Sequence, residues 1–524
     1  MKRFRPGILF ADFVQGRGKV RRHGGAGGQR DYRRGWVVWL GTMLAMGLIL
    51  VRAFDLQILQ GERLRVLADE NRIKQIRLAA PRGKIRDRNG VEVVRNEAAA
   101  QVVGYLGEVK EDEVGLVKAS GGKYEVGSWI GRAGVEAQYE DILRGVDGGK
   151  LVEVDNEGKI VRELGQKEPV AGRDVQLAID GGLQETAYDA VRGKKAGVIV
   201  ANPQNGEILA LVSSPSFDPG LVENYLSRKD LPMFNRAIGG VYPPGSTFKM
   251  ITTMAGLETG KVKPSFTFVD TGMIGVGSFR YTNWLFTKRG GTEGRIGFAR
   301  AITRSTDTFF YKVGELAGPE AMVEWAKKVG LGQITGIDLP GEVPGWVPDP
   351  STSSGPWYLG NTYHLAIGQE DLLATPLQIN LMTNILASNG KKCRPHLNKM
   401  FNVQCSMINI SNETLEIIKN GMIGACSEGG TSFVMFDWNA DVKLPKIACK
   451  TGTAEYVAES GKVKTHGWLT AYAPADNPVI SATVVIEGGG EGSNVAAPVV
   501  RKIFAKYFNV EDKYPYGAIR GEGE

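Results

Sequence analysis

The sequence predicts an α+β protein held to a membrane by one N-terminal helix, and three observations carry that expectation. Residues 35–51 (GWVVWLGTMLAMGLILV) hold no charged side chain over seventeen positions. Short apolar runs recur at 197–200, 208–212, 468–472 and 479–486, bounded by turn-forming residues and short enough for strands. Longer stretches of helical spacing fill much of the interval between them, so the strands are expected to form an antiparallel sheet with helices on both faces.

At ~1.5 Å per residue the N-terminal apolar run spans most of a ~30 Å hydrocarbon layer. Arg34 and Arg52 can snorkel at its ends, and Trp36 and Trp39 suit one interface. Residues 1–34 carry ten Lys or Arg against two acids, a net of +8 in a chain of formal charge +7, so the remainder is near neutral. That basic flank predicts a cytoplasmic N-terminus and an exported bulk. It also competes as a nucleic-acid patch, a reading the adjoining apolar run argues against. Nothing after Val51 offers a small-x-small cleavage site, so an uncleaved anchor is expected rather than a removed signal. The Gly- and Arg-rich stretch 7–28 reads as a disordered tail.

Beyond the anchor, 54–71 reads as a continuing helix leading into a β-rich segment that ends near Pro169. A strand over 173–180 and a helix from about Gly182 open the next region. Pro474-Ala-Asp-Asn-Pro478 joins the last two strands as a hairpin. The expected divisions are a tail at 1–34, an anchor at 35–53, a first exported domain at 54–172, a second at 173–508, and a loose polar end at 509–524. Glycine, at 70 of 524 residues, is nearly twice its usual ~7 % share and implies many turns.

Chemistry concentrates in three strings, Ser246-Thr-Phe-Lys249, Ser305-Thr-Asp307 and Lys450-Thr451-Gly452. A serine without a histidine partner needs another base, and a lysine three residues on along a helix lies one turn away. The first pattern also occurs at Ser120-Gly-Gly-Lys123 and Ser388-Asn-Gly-Lys391, where the inserted Gly-Gly and Asn-Gly favour turns over a shared helical face. Only Ser246 follows a rigid Tyr242-Pro243-Pro244-Gly245 approach and precedes Phe248, Met250, Ile251 and Met254, spaced for a buried helix. It then sits in a first helical turn, where free N–H groups favour developing negative charge. Ser216-Phe-Asp218 repeats the second pattern, but between Ser246 and Lys450 only Ser305 matches it; a plain helix cap is its bland competitor. The third string ends an apolar run over 444–454 that reads as a strand, with Gly452 allowing close approach of a substrate.

The four cysteines, Cys393, Cys405, Cys426 and Cys449, fall late in the chain, and an even count outside the membrane permits disulfides without fixing the pairing. Strand alternation points Cys449 away from the side of Lys450, and a buried free thiol is the favoured reading there. His23, His364, His396 and His466 lack any motif for a Ser-His-Asp triad or a metal cluster, so structural or surface roles are expected for all four.

With their surroundings, the three strings resemble class B penicillin-binding proteins, most closely the elongation type called penicillin-binding protein 2. The likeness runs from about residue 54 to 508. Glu70-Asn-Arg72, Ala80-Pro-Arg-Gly-Lys-Ile-Arg-Asp-Arg-Asn-Gly90 and Gly134-Val-Glu136 resemble the family's non-catalytic pedestal, the dimerisation-type domain. Asn202 to Val212, Ser214-Pro-Ser-Phe-Asp-Pro219 and Asn235-Arg-Ala-Ile238 resemble the start of its transpeptidase domain. Ala366-Ile-Gly-Gln369, Thr375-Pro-Leu-Gln378, His466-Gly-Trp468 and Ala473-Pro-Ala475 resemble the later half.

The resemblance implies a serine β-lactamase-like catalytic fold that cross-links peptidoglycan stem peptides at the bacterial cell membrane. In it, Ser246 attacks the D-Ala-D-Ala carbonyl, Lys249 is the base, Ser305 relays the proton to the leaving nitrogen, and Lys450 holds the Ser305 hydroxyl. Asp307, Thr451, Gly452 and Thr453 border the bound substrate, the two threonines holding its carboxylate. The backbone N–H groups of Ser246 and Thr453 form the oxyanion hole. β-Lactams acylate the same serine. The implied partners are a donor stem peptide, an acceptor amine and a multi-spanning glycosyltransferase of the elongation machinery. No cofactor is implied.

Several departures matter. Asp307 stands where the wider superfamily has Asn, as it does in the elongation type, and Glu370 replaces the usual Gly after Gly-Gln. Some relatives bind zinc between the first two motifs through His and Cys; this chain has neither type between Ser246 and Ser305, so no metal is expected there. The stretch 96–106 skips the larger head of many relatives, and a partner bound through that head does not carry over. The competing classes are a membrane-anchored β-lactamase or β-lactam sensor, a D,D-carboxypeptidase, a silent wall-complex scaffold, and a bifunctional enzyme with its own glycosyltransferase. The pedestal opposes the β-lactamase and the sensor, the four retained catalytic side chains the scaffold, and the short span before Arg173 the bifunctional enzyme.

Overall fold

The computed structural model describes residues 32–114, 124–155, 157–352, 355–369, 371–458 and 461–516. The 7–28 tail, His23, the Ser120–Lys123 string, Glu370 and the last residues of the expected loose end lie outside them. Two compact units divide the chain, one from Met1–Ile76 with Lys150–Gln166, the other from Arg77–Gly149 with Lys167–Glu524.

In the first unit the apolar run forms the α-helix Tyr32–Phe54, relaxes through a π-turn at Asp55–Leu59, and continues as the helix Gly61–Arg72. Gly35–Leu59 is long and apolar enough to cross a membrane, and none of its apolar stretch is buried. This is expected of a helix whose solvent is lipid. The unit also carries most of a three-stranded sheet, in the order Ile73–Leu78, Gly148–Val154, Ile160–Lys167.

The second unit is built on a five-stranded, wholly antiparallel sheet. Its order is Ala448–Val457, Val463–Ala473, Ile480–Ile486, Ala196–Ala201, Ile208–Ser214. Alternation sends Ala448, Trp468, Tyr472 and Val485 to one face, where they join the core around the helices Lys249–Glu258, Asp307–Ala317 and Pro376–Ala387. Cys449, Leu469, Ala471 and Val484 go to the other, packed against the helices Gly181–Val191 and Ala497–Tyr507. The expected layering is thus present, with helices on both faces.

The strand expected over 173–180 is not part of this sheet. Only Val175–Gln176 is extended, pairing in parallel with Ile85–Arg86, after which Asp180 caps the Gly181–Val191 helix by accepting from Leu183 N–H at 3.1 Å. The apolar alternation of that stretch is satisfied in a separate core with Ile85, Val102 and Val135. Glu136 of the Gly134-Val-Glu136 string is fully buried and paired with Arg82 and Arg95, which ties together two strings that are far apart in sequence. A Cβ at Gly83 would lie 2.0 Å from Arg173 O, so the Pro-Arg-Gly turn can close only with glycine.

All four cysteines are disulfide-bonded, Cys393 to Cys405 and Cys426 to Cys449. The free thiol expected at Cys449 is therefore corrected. Its side chain does point to the face opposite Lys450, but there it meets Cys426, which ends the helix Asn412–Ala425.

Candidate active site

The approach to Ser246 is pinned from both sides. Tyr242 pairs with Ala374 through N–H to O bonds of 3.0 and 2.9 Å, and Trp468 Nε1 donates to Pro243 O at 3.0 Å. Two prolines remove donors and fix φ, so the chain turns sharply into a single 3-10 turn, Gly245–Phe248, that feeds the helix Lys249–Glu258. Gly245 has φ +55, and a Cβ there would meet Thr453 O at 2.8 Å, Thr453 C at 3.1 Å and Thr453 N at 3.4 Å. Its own N–H donates to Gly368 O at 2.7 Å. The backbone beside Ser246 thus lies directly against the backbone of Thr453, which explains why the pattern needs glycine at 245.

Lys249 is fully buried on the first turn of that helix. Its Nζ donates to Ser305 O at 2.8 Å, Ser305 Oγ at 3.1 Å and Asp307 Oδ1 at 2.6 Å, and none of its hydrogen bonds runs to Ser246 Oγ. Ser305 ends the helix Phe298–Arg304 at φ +54, a left-handed position that turns the chain before Asp307 opens the next helix. The strained cap places Ser305 Oγ between two lysines, because Lys450 Nζ also donates to it, at 2.9 Å, and to Thr451 O at 2.8 Å. Asp307 Oδ2 accepts from Trp284 N–H at 3.3 Å.

Burial is the main cause that lowers the Lys249 pKa, and the adjoining Asp307 carboxylate opposes it. Lys450, also fully buried, is held well below the ordinary lysine value, first by burial and then by the charge of Lys249, with Asp307 again opposing. Both amines are thereby moved toward the neutral form that a base requires.

Every sequence-predicted residue is accounted for. Ser305 links Lys249 to Lys450, Asp307 pairs with Lys249, and Ser246, half-buried, lies three residues before Lys249. Thr451, Gly452 and Thr453 line the strand Ala448–Val457 beside them, Gly452 with Pro244 O and Thr247 Cγ2 only 3.0 and 3.1 Å from its Cβ position. The rival Ser388 sits at the end of Pro376–Ala387, its Oγ donating to Asn384 O and Lys391 O, with Asn389 and Gly390 at positive φ. Its lysine, Lys391, reaches away to Gln204 O at 2.7 Å. The turn expected from Asn-Gly is therefore what separates that serine from any base.

Some contacts at the site had no counterpart in the motif reading. Thr431 Oγ1 lies 2.9 Å from Thr451 Oγ1, and Gln369 Nε2 donates to Thr453 O at 3.1 Å. Gln369 belongs to the Ala366-Ile-Gly-Gln369 string and could have been found there; Thr431, after Gly429 and Gly430, carries no local signal. His466 is buried and stacked on Tyr456, and burial lowers its pKa. Among the described residues no cluster of His, Cys, Asp and Glu could hold a metal ion.

Comparison with known proteins places the chain in a family. The family described as Penicillin binding protein transpeptidase domain matches residues 196–505, and the Penicillin-binding Protein dimerisation domain matches 94–177. The peptidoglycan D,D-transpeptidase MrdA of Acinetobacter baumannii is 34% identical over 453 residues, 79% of this chain and 66% of that protein. Its Escherichia coli K12 counterpart, also named peptidoglycan D,D-transpeptidase MrdA, is 29% identical over 88% of this chain and 92% of its own length. The crystal structure of Pseudomonas aeruginosa PBP2 in complex with WCK 5153 superposes with a TM-score of 0.71 at 30% identity, covering 84% of this chain and 99% of that one. With that coverage, and with the three motifs assembled around one buried serine, the chain belongs to the penicillin-binding protein family of peptidoglycan D,D-transpeptidases.

Proposed function

We propose that Ser246 is the nucleophile that carries the donor stem peptide and that Lys249 is its base. The observation that supports this most directly is the chain of contacts Lys249 Nζ–Ser305 Oγ–Lys450 Nζ one helical turn from Ser246, with the Thr453 backbone packed on Gly245. Ser246 Oγ bonds to the carbonyl carbon of the penultimate D-alanine as its proton passes to Lys249. The carbonyl oxygen becomes negative and is held by the backbone N–H groups of Ser246 and Thr453. The C–N bond breaks, and D-alanine leaves with a proton delivered through Ser305, which Lys450 orients. Thr451 and Thr453, with Gly452 giving clearance, hold the terminal carboxylate, and Asp307 shapes the cleft from its pairing with Lys249. An amine of a second stem peptide then attacks the ester and restores Ser246. A β-lactam follows the first half of this path, and its leaving nitrogen stays tethered.

In this reading residues 1–34 lie in the cytoplasm, 35–53 cross the membrane once, 54–172 form the pedestal, 173–508 the transpeptidase domain, and 509–524 a tail. The exposed apolar helix and the basic flank before it support that orientation. The cellular role is elongation, supported by the MrdA likeness and by Asp307 in the second motif. Glycan polymerisation then falls to a partner, a multi-spanning glycosyltransferase.

A fluorescent penicillin should label the wild-type chain, Ser120→Ala and Ser388→Ala covalently and equally, and should fail to label Ser246→Ala. Labelling that persists in Ser246→Ala overturns the assignment. Rapid hydrolytic turnover of the penicillin would instead identify a β-lactamase, and release of D-alanine to water without cross-linking a carboxypeptidase. In cells, depletion giving rounded rather than filamentous shapes checks the elongation role.

A further inference from the structure

Outside the three motifs, one carboxylate is more heavily engaged than any side chain in the site itself. Asp270 ends the strand Thr267–Asp270 and is 2% exposed. Its Oδ1 accepts from Gly272 N–H at 2.9 Å, Asn283 Nδ2 at 2.8 Å and Thr308 Oγ1 at 2.7 Å; its Oδ2 accepts from Asn283 Nδ2 at 2.9 Å and Glu293 N–H at 2.8 Å. Two of these donors lead to the reactive centre. Thr308, fully buried, is the neighbour of Asp307 on the same helical turn. Asn283 caps the helix Trp284–Arg289, accepting from Phe286 N–H at 2.8 Å, and the next residue's N–H, that of Trp284, donates to Asp307 Oδ2. Trp284 Nε1 in turn donates to Arg304 O, one residue before Ser305.

A carboxylate that gathers donors from four separate backbone positions fixes their relative places, since each lost bond would leave a buried group unsatisfied. Here those positions are Gly272 and Glu293 at the two ends of the 270–293 excursion, Asn283 at the helix cap within it, and Thr308 on the first turn of the Asp307 helix. We propose that Asp270 is a positioning residue for the acylation step, fixing through Thr308 and the Asn283 cap the orientation in which Asp307 pairs with Lys249. The inference rests on Lys249 being the base at Ser246. The charged or titratable groups that face the pair are Lys450 across Ser305 and Tyr311 on the Asp307 helix, whose phenol is pushed up chiefly by burial and next by the Asp307 charge.

The direction of the effect follows from the pairing. Asp307 holds the Lys249 pKa up against burial; when the pairing loosens, Lys249 loses its proton at lower pH, and the acid limb of the acylation profile moves down. The plateau falls at the same time, because the amine is no longer held in place.

The test uses the full chain in detergent and reads the rate of acylation by a fluorescent penicillin against pH, alongside thermal melting. Thr308→Val, which removes one donor and keeps the side chain's shape, is expected to lower the plateau roughly tenfold and shift the acid limb to lower pH. Thr308→Ser restores both. Asp270→Asn, which replaces one accepting oxygen with an amide N–H2 facing other donors, gives the larger change. A merely structural role would lower the melting temperature and leave the acid limb in place. If Thr308→Val acylates with the wild-type pH profile, or Thr308→Ser fails to restore it, the inference is overturned, whether or not Asp270→Asn folds. Ser246→Ala tests the underlying assignment separately: loss of labelling there with an unmoved Thr308→Val profile discards Asp270 alone.

Discussion

Gly245→Ala isolates the contact on which the proposed oxyanion hole depends. Two penalties meet at this position. The residue sits at φ +55, where an L side chain costs about 1–2 kcal/mol, and its Cβ would stand 2.8 Å from Thr453 O, where ordinary contact starts at 3.4 Å. Relief requires the Thr453 backbone to withdraw by about 0.6 Å, because the approach cannot yield on its other side: Gly245 N–H is bonded to Gly368 O, and Pro243 O holds Trp468. A displacement approaching 1 Å at reacting groups costs up to ~100-fold in rate, and loss of an oxyanion donor ~100- to 1,000-fold. Acylation of Gly245→Ala by a fluorescent penicillin is therefore expected to slow by about 10- to 100-fold, or about 1.4–2.7 kcal/mol of barrier. Gly260→Ala supplies the control. It shares the left-handed backbone, φ +69, but its Cβ would have nothing within 4 Å. That variant should lose only the backbone term of about 1–2 kcal/mol and acylate normally. Normal acylation by Gly245→Ala, or equal slowing in Gly260→Ala, would refute the reasoning.

Two further outcomes follow from the same structure. The Cys426–Cys449 bridge closes a 23-residue separation and the Cys393–Cys405 bridge a 12-residue one, so by loop entropy their removal should cost about 3.4 and about 2.8 kcal/mol. Denaturant midpoints of the two Cys→Ser pairs should rank in that order, and no change on reduction of the wild type would contradict both bridges. Lys450→Met should abolish penicillin labelling yet raise stability near pH 7, by ~1 kcal/mol or more, because a buried amine is replaced by an apolar chain. The folded pKa of Lys450 lies well below its unfolded value of 10.5, so wild-type stability rises with pH across the window up to 10.5 and the variant's advantage shrinks there. An advantage that grows with pH in melts at about pH 7 and about pH 10 would show the sign to be wrong.

The parts of this protein that could be read from its sequence are those where a local rule and the fold demand the same residue. Gly35–Leu59 is apolar over the length that crossing a membrane would need, and the Ala448–Val457 strand alternates because each face meets a different core. Ser246 could be told from Ser388 because Asn389 and Gly390 adopt the positive φ that such residues favour. The strand expected over 173–180 failed for the opposite reason. Alternating apolar residues specify that one side is buried, not that the segment pairs as a strand, and Ile179 and Leu177 find their cover in a core with Val135, Ile199 and Ile208. Asp270 and Thr431 were invisible because their meaning lies in partners 38 and 20 residues away, Thr308 and Thr451. The cysteine pairing was equally non-local.

The hydrogen bonds around Lys249 also bear on the order of the proton transfers. As an ammonium, lysine has three donors and no acceptor. Lys249 Nζ meets three acceptors, Ser305 O, Ser305 Oγ and Asp307 Oδ1, so in its charged form every proton is engaged and none of its bonds reaches Ser246. To act as a base it must first give one proton up. The bond to yield is the longest, 3.1 Å to Ser305 Oγ, because that hydroxyl can reverse and donate while still accepting from Lys450 Nζ at 2.9 Å. The other two partners are a carbonyl and a carboxylate, which only accept. The proton-poor form of Lys249 then has its lone pair met by the Ser305 hydroxyl or, once substrate excludes water, by that of Ser246. On the proposed assignment Ser305 is therefore poised at the branch point of both transfers, and the second lysine is needed less for its charge than to keep that hydroxyl from choosing any other partner.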